Sequence, residues 1–171
     1  MTGVYLSLGS NMAREQHILA ALDALRAQFG ELSISSVFES EAVGFDGSNF
    51  YNLVVGIDTA LSIAELSDVL KTIEDDNGRC RKGPKFSSRT LDIDILTYGD
   101  FVGSEAGVDL PRDEITKNAF VLWPLAEIAP DTLHPVAGKA YRQLWLDYDK
   151  NRQRLWPVDF VWQGQVISSA L

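Results

Sequence analysis

Cysteine occurs once, at Cys80, and histidine only twice. A lone thiol excludes an internal disulfide framework, and one cysteine with two histidines offers no zinc site of the usual Cys/His kind. No run approaches the ~18 apolar residues of a membrane span, and the N-terminus lacks the basic and apolar segments of a secretory signal. Positive charge is scarce: 15 Lys and Arg face 24 Asp and Glu, for a formal net charge of −9. That balance argues against nonspecific nucleic-acid binding. Internal repeats and low-complexity segments are absent as well. What is present is a chain of 171 residues with ordinary globular proportions, 46% hydrophobic and 23% charged, long enough for one domain with a real core. A soluble cytoplasmic protein is expected, monomeric or weakly self-associating.

Against this acidic background one stretch is wholly basic. Between residues 79 and 89 stand Arg79, Arg81, Lys82, Lys85 and Arg89 with no acid among them, and Gly83, Pro84, Ser87 and Ser88 mark the stretch as a loop. It leads directly into Arg89-Thr90-Leu91-Asp92-Ile93-Asp94-Ile95-Leu96. Leu91, Ile93 and Ile95 share one parity, and Thr90, Asp92 and Asp94 the other, the pattern of a half-buried β-strand. On such a strand Asp92 and Asp94 point the same way, with Cα atoms roughly 6–7 Å apart. Two ionised carboxylates that close repel each other unless a cation or basic group lies between them. Oxygen donors of this kind suit Mg²⁺, which takes one or two carboxylates plus water and substrate phosphate. Two ions about 3.5–4 Å apart could share both aspartates and clamp a phosphoryl group. The plainer alternative is a wet edge strand beside a solvated loop. A carboxylate pair next to guanidinium forks is, however, the combination that polyphosphate chemistry needs.

The remaining elements follow from periodicity. Val4–Leu8 reads as a strand stopped by the turn cluster Gly9-Ser10-Asn11, which can also cap a helix. Ile18, Leu22, Leu25 and Phe29 recur at helical spacing over residues 14–29, ending at Gly30. Residues 31–39 form a second strand, 40–49 a loop and 50–58 a third strand. Ser62-Ile63-Ala64-Glu65 is a capping box that opens a helix with a core stripe of Ile63, Leu66, Leu70 and Ile73. That helix closes on Glu74, Asp75 and Asp76, acids that oppose the helix dipole. Residues 90–98 make the fourth strand. The order strand–helix–strand–strand–helix–strand is an α+β, ferredoxin-like sandwich. Its mostly antiparallel sheet carries helices on one face and leaves the other for ligands. Farther on, residues 101–112 are a loop or short hairpin, and 116–128 are helical in part, with a break at Trp123-Pro124. A last helix spans 141–148. The main domain covers 1–150. Residues 151–171 form an extension packed on it, with Val158, Phe160 and Trp162 on one strand parity.

The central segment, together with Leu8-Gly9-Ser10-Asn11, Phe120-Val121-Leu122-Trp123-Pro124-Leu125 and Glu127-Ile128-Ala129-Pro130, resembles the signature of the 6-hydroxymethyl-7,8-dihydropterin pyrophosphokinases of folate biosynthesis. The likeness runs from about residue 3 to about residue 145. It implies transfer of pyrophosphate from ATP to the hydroxymethyl group of the reduced pterin, leaving AMP, with two Mg²⁺ ions held by Asp92 and Asp94. Arg81 and Arg89 complete the implied catalytic set. Glu74, Arg81, Lys82, Arg89, Ile95 and Arg112 fall on the nucleotide side, and Val43, Gly44, Asn52 and Phe120 on the pterin side. Asn52 also stands out unaided, because an amide inside an apolar strand needs a partner; Phe120 taken alone reads as core packing rather than a ligand contact. The chain departs from the family pattern on the nucleotide side. Phe86 replaces a usual Trp, and Ser87-Ser88 a Gly-Pro pair. Arg112 and Asn118 stand where a histidine and a basic residue are usual. Two other classes remain: a different Mg²⁺-dependent nucleotidyl transferase or cyclase on such a sheet, and a non-catalytic module that binds phosphate ligands.

Overall fold

The computed structural model describes residues 1–41, 48–78 and 90–171. Strand β1 (Thr2–Ser10) runs through the sheet and pairs antiparallel with β4 (Phe50–Thr59) on one side and β5 (Asp92–Tyr98) on the other. Beyond β4 lie β2 (Ser33–Ile34) and β3 (Phe38–Ser40), and β3 pairs in turn with β8 (Leu155–Pro157), giving the order β5-β1-β4-β3-β8. The expected strand over 31–39 is thus two short ones. At the interruption the Ser35 hydroxyl takes a bond from the Val54 N–H at 2.9 Å.

Period-two alternation gives the sheet two distinct faces. Leu8 lies opposite Leu53 and Ile93, and Leu6 opposite Val55 and Ile95. These residues form the main core with α1 (Arg14–Phe29) and α2 (Ile63–Asp76), through Ile18, Leu22 and Leu25 of α1 and Ile63, Leu66, Leu70 and Ile73 of α2. The capping box of α2 forms as its sequence predicts: Glu65 N–H donates to Ser62 Oγ and Ser62 N–H to Glu65 Oε1. At α1 the cap differs from expectation. β1 continues through Gly9 to Ser10, and the helix starts from Ala13 in a left-handed conformation (φ 44°) without a side-chain cap. Ser10 and Asn11 are engaged elsewhere, as the site below shows.

The second face is shared. Hairpin β6 (Gly103–Glu105)–β7 (Val108–Leu110) leads to α3 (Glu114–Lys117), α4 (Ala119–Ile128) and α5 (Tyr141–Asp147). These helices bury Val54 and Leu96 beneath Ile115, Val121, Leu122, Leu125 and Tyr141, while Asp92 and Asp94 on the same face stay partly exposed. The predicted break at Trp123-Pro124 is corrected: the interruption falls at Asn118, and α4 continues through Pro124. Proline removes the amide that would bond the Phe120 carbonyl, a cost of roughly 3 kcal/mol in a helix interior. Burial of Val121, Leu122, Pro124 and Leu125 against the sheet offsets it.

The last strands, β9 (Phe160–Trp162) and β10 (Gln165–Ser168), make a separate hairpin. Phe160 enters the main core, and Ser168 Oγ receives the Val37 N–H at 2.9 Å. No described helix is long and apolar enough to cross a membrane.

Candidate active site

The register of β1 assembles the site. Gly9 stands between Asp92 on β5 and Asn52 on β4, and Ser7 between Asp94 and Val54. Asn52, Gly9, Asp92 and Asp94 therefore share one face, as the alternation of the central segment predicts. A side chain at Gly9 would intrude between the two ends of this row: a Cβ there would lie 3.3 Å from Asn52 Oδ1 and 3.8 Å from the Phe50 ring. The glycine keeps that space open.

Asn52 is buried, and its amide donates to Ser40 Oγ at 2.7 Å. Nothing in the sequence links Ser40 to Asn52, because a serine twelve residues away gives no periodic signal; it becomes a neighbour only through β3–β4 pairing. Ser10 and Asn11, expected as a turn or helix cap, likewise meet partners far away in sequence. The Ser10 hydroxyl donates to the Thr90 carbonyl, and Asn11 Nδ2 to the Ser48 carbonyl at 3.1 Å. Arg14 is braced nearby, its guanidinium 4.0 Å from the Tyr51 ring centroid and 3.3 Å from Glu39 Oε2.

Asp94 is partly buried, and its carboxyl is pushed up to about 7, first by burial and then by the negative charge of Asp92. Arg112 acts against both, yet its guanidinium is already bonded to Glu114. Burial alone would lower the pKa of Arg112; Asp94 and Glu114 outweigh it and hold the group above its ordinary value. The surroundings of Asp94 thus leave its negative charge under-compensated, the condition a bound cation relieves. Oxygen donors on one strand face fit a hard ion such as Mg²⁺. Among the described residues no group of three or more His, Cys, Asp or Glu gathers as a metal cage, and Mg²⁺ needs only one or two carboxylates. Thr90 Oγ1, just before the strand, is buried and has no hydrogen-bond partner among the described residues.

Glu74 is buried rather than solvated, and its Oε2 accepts the Ile93 N–H at 2.8 Å, between the two aspartates; Asp75 and Asp76 are exposed. An acid in the last turn of α2, unfavourable for the helix dipole, therefore holds β5. The Ile95 side chain belongs to the main core on the opposite face, so only its backbone can meet a ligand. Phe120, second residue of α4, is partly buried against the second cluster. Val43 and Gly44, and Arg81, Lys82 and Arg89 of the basic stretch, lie outside the described residues.

Residues 5–130 match the family model for 7,8-dihydro-6-hydroxymethylpterin-pyrophosphokinase (HPPK). The 2-amino-4-hydroxy-6-hydroxymethyldihydropteridine pyrophosphokinase of Aquifex aeolicus is 37% identical over 145 residues, covering 84% of this chain and 90% of the relative. Its namesake in Pseudomonas aeruginosa is 39% identical over 137 residues, covering 77% and 83%. Among solved structures, wild-type Plasmodium falciparum HPPK-DHPS with pterin and p-hydroxybenzoate superposes with a TM-score of 0.74 at 15% identity, a likeness of fold. The match takes in 98% of this chain and 48% of that one, so the chain spans about half of the longer protein. With more than two thirds of its length following one family's model, and over a third of its aligned residues identical to two of that family's enzymes, this chain belongs to the 7,8-dihydro-6-hydroxymethylpterin-pyrophosphokinase family.

Proposed function

We propose that this pyrophosphokinase of folate biosynthesis moves the pyrophosphoryl group of ATP to the hydroxymethyl oxygen of 6-hydroxymethyl-7,8-dihydropterin, with Asp92 and Asp94 holding the magnesium. The observation that carries the site assignment is the shared face of Asp92 and Asp94 with the Asp94 charge under-compensated. Two Mg²⁺ ions there supply charge neutralisation along the phosphate chain and Lewis acidity at the transferred group. Glu74 fixes the strand between the aspartates through the Ile93 amide, so both carboxylates are set before substrate arrives. Arg112, alongside Asp94, adds fixed positive charge on the nucleotide side. Arg81, Lys82 and Arg89 bind phosphate oxygens as the transfer proceeds. On the pterin side Asn52, steadied by Ser40, recognises the rim of the ring, Phe120 stacks on its face, and Val43 and Gly44 offer backbone contacts. The enzyme works in the cytoplasm without a nucleic-acid partner, in keeping with its net charge of −9.

Release of AMP from ATP, measured with Mg²⁺ and with or without the pterin, tests the reaction; ADP or a cyclic nucleotide as product would point to a different transferase. For the residues, Asp92→Ala and Asp94→Ala are each expected to abolish transfer while pterin binding changes far less. Activity within about tenfold of the parent in both variants, a loss of no more than ~1.4 kcal/mol of transition-state stabilisation, would remove the aspartates from the mechanism.

A further inference from the structure

Asparagine opens α4, a residue type suited to capping, but its side chain does not cap the helix. Asn118 Oδ1 instead accepts from Gln153 Nε2 at 2.8 Å, and Gln153 Oε1 accepts the Ala119 N–H at 2.7 Å. An amide that the helix itself cannot satisfy is thus met from the C-terminal segment. The hydroxyl of Tyr148, from the same segment, donates to the Lys117 carbonyl at 2.8 Å. Residues 117–119 are held at three points, and the next residue is Phe120. The segment then enters β8, where Leu155 stands opposite Ser40, the partner of the Asn52 amide. It therefore borders the mountings of both Phe120 and Asn52.

Resting on the pterin placement given above, we propose that Gln153 is a positioning residue for the pterin site, fixing the start of α4 so that Phe120 presents its face to the ring. Gln153 lies beyond residue 130, where the match to the family model ends. A neutral amide suits the position because it must donate to Asn118 and accept from Ala119 in one plane. Its bonds reach neither Asp92 nor Asp94, and Asn118, although it stands where a basic nucleotide-side residue is usual, brings no charge to a phosphate, so the influence of Gln153 falls on the pterin through Phe120.

The test uses the full chain and three variants, Gln153→Ala, Gln153→Glu and Phe120→Ala. Pterin binding is followed by fluorescence, binding of a non-hydrolysable ATP analogue with Mg²⁺ by calorimetry, and folding by thermal unfolding. Gln153→Ala is expected to weaken pterin binding about tenfold, the scale of one or two lost hydrogen bonds. It should raise KM for pterin well above any change in KM for ATP, with analogue affinity held within about twofold. Gln153→Glu keeps the acceptor for Ala119 but cannot donate to Asn118, and should fall between Gln153→Ala and the parent. Unchanged pterin affinity in Gln153→Ala, where Phe120→Ala loses it, overturns the positioning role. Equal weakening of both ligands also overturns it, being the mark of a general loss of structure. Unchanged pterin affinity in both variants overturns the placement of the ring at Phe120, and the proposal with it. Should Gln153→Ala not fold, the pterin-against-ATP difference in Gln153→Glu decides by the same criteria.

Discussion

At Asp94 burial and the neighbouring Asp92 push the carboxyl up to about 7, so the fold favours the neutral acid while the proposed metal site requires the anion. In the unfolded chain the group ionises near 3.8. Because the folded value is the higher one, Asp94 contributes stability that is present below about pH 4 and is lost as pH climbs through about 7. Metal-free protein should therefore lose this contribution across that window. Asp94→Asn, which mimics the neutral acid, should be more stable than the parent at pH 7.5, by about 5 °C in Tm for a chain of this size, with the difference vanishing near pH 4. Thermal unfolding of both proteins in chelator across pH measures this, and a pH-independent difference would contradict it. Added Mg²⁺ should raise the Tm of the parent at pH 7.5 and leave that of Asp94→Asn far less changed.

The same opposition appears within an element. α2 is well made at its start, with a complete capping box, and poorly charged at its end, where Glu74, Asp75 and Asp76 meet the negative pole of the helix. Glu74 compensates by leaving the solvent and accepting the Ile93 amide. Glu74→Ala would leave that buried N–H without its acceptor at a cost of roughly 1–3 kcal/mol. A fall of about 3–10 °C in Tm is expected, together with weaker Mg²⁺ binding because the strand between Asp92 and Asp94 is no longer fixed. Gln at this position retains an acceptor oxygen and should recover most of the stability. If calorimetry gave the same Mg²⁺ affinity for Glu74→Ala as for the parent, Glu74 would be a stability residue alone. The capping box and core stripe of α2 are plain in its sequence; the task of Glu74 is not, because its partner lies nineteen residues away and comes near only when α2 packs on β5.

For the molecule as a whole, the C-terminal segment extends the main sheet and fills part of its core. β8 adds a strand beside β3, Phe160 is buried, and Ser168 serves the backbone of Val37. Ending the chain after Pro157 would remove Phe160 and Ser168 while keeping Gln153 and β8. Loss of one buried aromatic alone costs roughly 3–5 kcal/mol, so Tm should drop by about 10 °C or more. The transfer reaction should persist at low temperature. Thermal unfolding and AMP release measured on the shortened chain test this, and an unchanged Tm would mean that residues 158–171 add nothing to the core.

The sequence by itself determined the two long helices, the three long strands and the parity of their side chains. Alternation over residues 90–96 is a local property, and it placed Asp92 and Asp94 on one face whatever lay around them. Helical spacing over 14–29 and the capping box at Ser62 likewise act within a few residues, and α1 and α2 formed where they were expected. Only the tertiary structure decided what each polar group would meet. It paired Asn52 with Ser40, Ser10 with Thr90, Glu74 with Ile93 and Asn118 with Gln153. It also carried α4 through Pro124, where local propensity predicts a break. The physical reason is common to all of these. Hydrogen bonds between distant residues and burial against a sheet depend on which surfaces the folded chain brings together, and no window of local sequence encodes that distance.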